Sequence, residues 1–227
     1  MFKRISALTI PVLLALVLLA APMALGQVGQ GSKASGKAAQ LAADWFVWAL
    51  EKPTDVNPTQ GEYSGGPKCD GQPLSDAPGR KWFLAGTFDG SEVTRNCTAP
   101  VGTQFFFPVA NSFCAEPPGT LTEEQYRQCA KAFVDNVLAD PELRISVTVD
   151  GKEVNGKRIV RADTPLFTFT LPKDNIFGAP PGVYEGVGDG LWAALPPLSK
   201  GEHTIHIEVS APSTGFSQDT TYILTVE

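Results

Sequence analysis

The residues best able to make covalent bonds in this chain are four cysteines, Cys69, Cys97, Cys114 and Cys129. No two of them lie three apart, so the CxxC spacing of redox pairs and zinc ribbons is missing. An even set of thiols behind an export signal reads as a disulfide framework, and four cysteines allow three connectivities. Joining neighbours in sequence closes the smaller loops, which makes Cys69–Cys97 and Cys114–Cys129 the expected bridges. The two histidines, His203 and His206, stand three apart in GEHTIHIEV. On a strand an odd separation sends two side chains to opposite faces, so they cannot chelate one ion. HExxH, GxSxG and GxxxxGK[ST] do not occur, which removes the usual zinc-protease, hydrolase-elbow and phosphate-loop signatures. A serine–histidine pair assembled in space stays open, because triads are not legible from order in the chain. The expectation is therefore no metal and no cofactor.

A different chemistry is suggested by GAPPGVYEGVGDGLW, which reads as a glycine-rich loop. Glu185 and Asp189 lie there beside Tyr184 and Trp192. Two carboxyl groups flanking a sugar bond, with aromatic faces to hold the rings, are what a glycoside hydrolase requires. These four residues are the candidate ligand-binding set, and the 175–192 loop is the expected place for a sugar site. Against it stands the plainer reading of acids that keep a loop solvated.

The elements that must position such residues follow from periodicity. The first 26 residues carry Lys3 and Arg4 ahead of an apolar run and close on Ala24-Leu25-Gly26. That is the pattern of a signal peptide cleaved before Gln27, which implies a secreted, periplasmic or extracellular protein with no membrane span after cleavage. A Gly/Ser-rich leader follows over 27–37. The remainder, 38–227, is expected to be one domain. Helices are expected near 38–52, where Leu41, Trp45 and Trp48 make an aromatic stripe, and near 122–139, where Thr122 and Gln125 form a capping box. In QFFFPV, alternation sends Phe105, Phe107 and Val109 one way and Phe106 the other, so the strand should be covered on both faces, with a bend at Pro108. RISVTVDGKEV, LFTFTL, HTIHIEV and TYILTV repeat a two-residue rhythm between turn signals. The fold class expected is mainly β, an antiparallel β-sandwich of immunoglobulin-like or jelly-roll-like form, with about two α-helices and two disulfides. A formal charge of -6 without acidic blocks argues against a nucleic-acid partner.

The segments WFLAGT, CTAP, FFFPV, FTFTLP and GEHTI together resemble a family of uncharacterised exported bacterial proteins, over nearly the whole chain beyond its leader. The C-terminal half loosely resembles immunoglobulin-type domains. The first resemblance implies export and attaches no activity, so no residue role follows from it; the second bears on architecture alone. The combined expectation is an exported, non-catalytic binding or adhesive module with an extracellular or cell-surface ligand. The alternative is a carbohydrate-active enzyme or sugar-binding domain that uses the 175–192 loop.

Overall fold

The computed structural model describes residues 36–60 and 81–227. The expected signal peptide, most of the leader and Cys69 lie outside the described residues. In chain order the elements are α1 (Gly36–Leu50), β1 (Lys81–Phe83), β2 (Val93–Ala99), β3 (Gln104–Glu116) and α2 (Glu123–Ala139). They continue with β4 (Arg144–Val149), β5 (Lys152–Glu153), β6 (Ile159–Asp163), β7 (Phe167–Leu171), β8 (Gly182–Leu195), β9 (Gly201–Ala211) and β10 (Phe216–Val226).

The strands form two five-stranded sheets. One runs β1-β3-β8-β6, with β7 also on β8; the other runs β2-β10-β9-β4-β5. Both are mixed, which corrects the expected antiparallel arrangement: β1 pairs parallel with β3, and β2 pairs parallel with β10. The cause is the path of the chain. β1, β2 and β3 hop from one sheet to the other and back, so β3 returns beside β1 in the same direction. The side chains of both sheets meet in one buried cluster, Phe105, Phe107, Leu191 and Ala193 against Ile205, Ile207, Tyr222 and Leu224. Phe106 turns the other way and joins Phe46, Trp45 and Trp192 under α1. The triple phenylalanine is thus a strand buried on both faces, and the β-bulge between Pro108 and Ala110 is the irregularity proline imposes.

The segment 182–192, expected as loop, is most of β8. Its glycines belong there because other atoms come too close for a side chain. A Cβ on Gly188 would sit 2.1 Å from the Phe46 ring, and one on Gly186 would sit 2.3 Å from the Cys114 carbonyl oxygen. The helix α1 therefore rests directly on the backbone of β8. The other helix, α2, starts with the expected capping box, Thr122 accepting from the Gln125 amide and Gln125 accepting from the Thr122 amide at 2.8 Å. The Cys114–Cys129 bridge ties it to β3 across a Cα–Cα distance of 6.0 Å. This is the one bridge visible with both ends among the described residues; Cys97 is not a free thiol, and its expected partner Cys69 lies outside them. Among the described residues no helix is long and apolar enough to cross a membrane.

Two outcomes are expected from denaturant unfolding. Gly188→Val should destabilise the fold by roughly 2–3 kcal/mol through overpacking, whereas Gly156→Ala, with nothing within 4 Å of the added carbon, should change it by less than about 0.5 kcal/mol. Replacing Cys114 and Cys129 together by serine should remove up to about 3 kcal/mol, the chain-entropy figure for a loop of 15 residues.

Candidate ligand-binding site

The four residues singled out by sequence do not converge. Strand alternation puts Tyr184 and Trp192 on one face of β8 and Glu185 and Asp189 on the other. Trp192 is fully buried, stacked on Phe106 at 5.2 Å between centroids, with its indole N–H donating to the Ala162 carbonyl at 3.3 Å. Tyr184 stacks on Phe169 and donates its hydroxyl to the Pro180 carbonyl at 3.0 Å. Glu185 accepts from the Gly119 amide at 2.9 Å, in the turn before α2. Asp189, 3% exposed, is paired with Arg161, which also reaches Asp135 of α2 at 2.7 Å. Donating to the Asp189 carboxylate holds the Arg161 guanidinium further above its ordinary pKa, and bonds from Lys131 and then Arg161 hold Asp135 below its own. Glu185 thus holds the turn before α2, and Asp189 holds Arg161, which reaches α2. The two acids are not poised across a cleft.

A serine, a histidine and an aspartate do meet on the surface. The Nδ1 of His203 lies 2.8 Å from Asp150, and its Nε2 lies 3.1 Å from the Ser199 hydroxyl. The same Nε2 is 2.9 Å from the Ser199 carbonyl, which only accepts. The Asp150 hydrogen bond raises the His203 pKa. Asp150 also accepts from the Thr204 amide at 2.9 Å, so these bonds clasp the β4–β5 turn to the start of β9. His206 faces away and pairs with Asp219 at 2.9 Å. No group of three metal-ligating side chains occurs among the described residues.

The concave site lies at a corner where both sheets run short of strands. β1 covers β3 only as far as Phe106, and β2 covers β10 only from Thr220. The link from Leu84 to Glu92 crosses this corner and leaves a cavity of about 480 Å³. Its position is set by a buried polar cluster. Arg95, 2% exposed, donates to the Ala85 carbonyl and, at 2.7 Å, to the Tyr222 hydroxyl. That hydroxyl donates to the Ala85 carbonyl at 2.7 Å and accepts from the Ala85 amide at 2.9 Å. The indole of Trp45 donates to the Leu84 carbonyl at 2.9 Å. The link is therefore pinned just before Gly86, whose missing side chain leaves room for Gln218.

Aromatic rings form a large part of the wall. Phe46, Phe113, Phe177 and Phe88 make successive contacts at 5.6, 5.8 and 5.3 Å between centroids. Phe133 of α2 and Phe216 of β10 make a second pair at 5.6 Å. Phe88 is 62% exposed and Phe133 37% exposed, both unusual for rings without a partner surface. Asn111, Ser112, Thr59, Thr87 and Gln218 contribute polar groups, and no charged residue lines the cavity among the described residues. Ile176 and Phe177 are the part of the suspected 175–192 segment that reaches it. The other wall residues come from four elements, α1, β3, α2 and β10, and from two connecting segments, and they carry no shared motif.

No family model matches the chain, and no curated protein matches it. Among solved structures the chain is similar to amebosin, with 12% identity over 66% of this chain and 100% of that one, at a TM-score of 0.22. It is also similar to the cysteine protease inhibitor EhICP2 from Entamoeba histolytica, with 10% identity over 65% and 96%, again at 0.22. Likenesses this distant leave the site to be read from its own residues.

The clasp makes a pH prediction. The His203 pKa is raised above its ordinary 6.5, so its contribution is complete below that value and lost as pH rises through the raised one. The Asp150 pKa is lowered below 3.8, chiefly by the same hydrogen bond, so its contribution is lost as pH falls through the lowered value. In thermal melts His203→Gln should fall furthest below wild type near about pH 5 and converge with it near about pH 9. Ser199→Ala should leave any background ester hydrolysis unchanged; a drop would make the cluster catalytic.

Proposed function

We propose that the chain is an exported, non-catalytic binding module, a β-sandwich whose ligand occupies the corner cavity. The observation that carries this reading is the cavity itself. It has a volume in the range of small-molecule sites, walls of aromatic rings, and a few polar groups with no charge among them. The leader pattern of the first 26 residues and the disulfide chemistry support export. Support for a non-catalytic role comes from the wall: its described residues offer no general acid, base or nucleophile of shifted pKa, and Glu185 and Asp189 are bonded to the Gly119 amide and to Arg161.

A sugar-binding variant of this reading draws on the same rings, since aromatic faces suit sugar rings as well and Phe177 belongs to the suspected segment. A hydrolase would need two carboxyl groups at the wall, and the described wall residues supply none.

The test uses an uncharged dye, N-phenyl-1-naphthylamine, titrated into the purified chain. The expected result is saturable fluorescence enhancement that Ser112→Phe, which fills the cavity, removes without lowering the melting temperature. Absence of enhancement with wild type, or undiminished enhancement with the variant, would refute the cavity reading. A glycan array separates the sugar variant: signal supports it, and a blank array removes it.

A further inference from the structure

Resting on the cavity reading above, we infer that this site takes an uncharged, ring-bearing small molecule that carries a carboxamide, with its ring among the phenylalanines and its amide against Gln218 and Asn111. Three observations lead there. The first is charge. Among the described residues the wall holds no lysine, arginine, histidine, aspartate or glutamate, so an ion entering it loses hydration and gains no counter-charge from them. A neutral ligand does not incur that loss.

The second is the rings. Phe46, Phe113 and Phe177 present faces and edges in sequence, with interplanar angles of 50° and 63°. A planar ring can add to such a series by offset or edge contact, which a flexible acyl chain cannot match.

The third is polar. Gln218 is 6% exposed, its side chain lies against Gly86, and its Nε2 is buried without a hydrogen-bond partner. Buried amides are ordinarily satisfied, so an orphan at the wall of a cavity indicates a missing partner. Asn111, half-buried on the same wall, makes no side-chain hydrogen bond within the chain. Glutamine and asparagine each present donors and an acceptor on one planar group. The complement of that pair is another amide, which accepts through its oxygen and donates through its nitrogen. A site built on such bonds discriminates against a ligand that lacks them, because its own groups are then left unpaired.

The experiment compares three molecules that share one ring system: 2-naphthamide, 2-ethylnaphthalene and 2-naphthoate. They are titrated calorimetrically into the purified chain and into Gln218→Met, which keeps the length and loses the amide. Wild type should bind the amide about tenfold more tightly than the hydrocarbon, the effect of one satisfied buried amide, and the carboxylate least. In Gln218→Met the hydrocarbon should bind as before and the amide should lose its advantage. Asn111→Leu makes the same comparison at a half-buried position, should Gln218→Met fail to fold. Equal binding of carboxylate and amide, or an amide preference that survives both variants, would overturn the ligand class while leaving the cavity in place. Silence from all three molecules on wild type would overturn both.

Discussion

A single close approach organises this molecule: the ring of Phe46 lying on Gly188, where β8 has no side chain. Because the helix sits that low, Trp45 and Phe46 reach Trp192 with centroids 5.6 Å away in each case. Phe46 also stacks on Phe167 at 5.6 Å. Aromatic pairs of this kind contribute about 0.5–1.5 kcal/mol each beyond the area they bury, and the contacts are made together or not at all. The same placement brings Trp45, Phe46, Ala49 and Leu50 to the corner where β1 has ended. The cavity is thus a by-product of how tightly the helix packs one turn away. A larger residue on β8 would lift the helix and open the corner to solvent.

Charge is distributed with a comparable division. Arg127 and Arg161 with their acids, the Cys114–Cys129 bridge and Asp140 all act on α2. Asp140 accepts from the Glu142 and Ser213 amides at 2.8 and 2.7 Å just past the end of that helix. Arg95 lies beside the cavity, and its guanidinium donates to the Ala85 and Gln60 carbonyls and the Tyr222 hydroxyl below the Leu84–Glu92 link. Ionic groups therefore hold the walls in place, while the described residues of the wall surface are uncharged. Of the helix residues, Phe133 is the one that turns from this scaffold towards the cavity.

Much of the architecture was legible because it obeys local rules. The alternation of Phe105, Phe106 and Phe107, the bend at Pro108, the Thr122 cap and the opposed histidines all depend on a few neighbouring residues. What was not legible depends on residues far apart. The parallel pairs β1/β3 and β2/β10 are products of chain path, which no window of sequence contains. GVGDG reads as loop because glycine is common in loops, yet here each glycine answers to an atom elsewhere: Phe46, Cys114 or Ala110. Asp189 looked like a solvent-facing acid because its partner Arg161 is 28 residues away. The cavity could not be anticipated for the same reason, its rings being delivered by separate elements that meet only in the folded chain.

The place of β10 has a consequence for when the fold can exist. This last strand lies between β2 and β9, with Thr220–Val226 aligned alongside Val93–Ala99 and Phe216–Val226 against β9. During synthesis β2 therefore waits for more than half the chain before it finds a neighbour in its sheet, and Arg95 waits equally long for the Tyr222 hydroxyl. The β9-β4-β5 part of that sheet can pair earlier, whereas β2 joins only once β10 has been made, and pairing across so long a separation is slow to nucleate. Until β10 is in place, the interior between the two sheets stays incomplete.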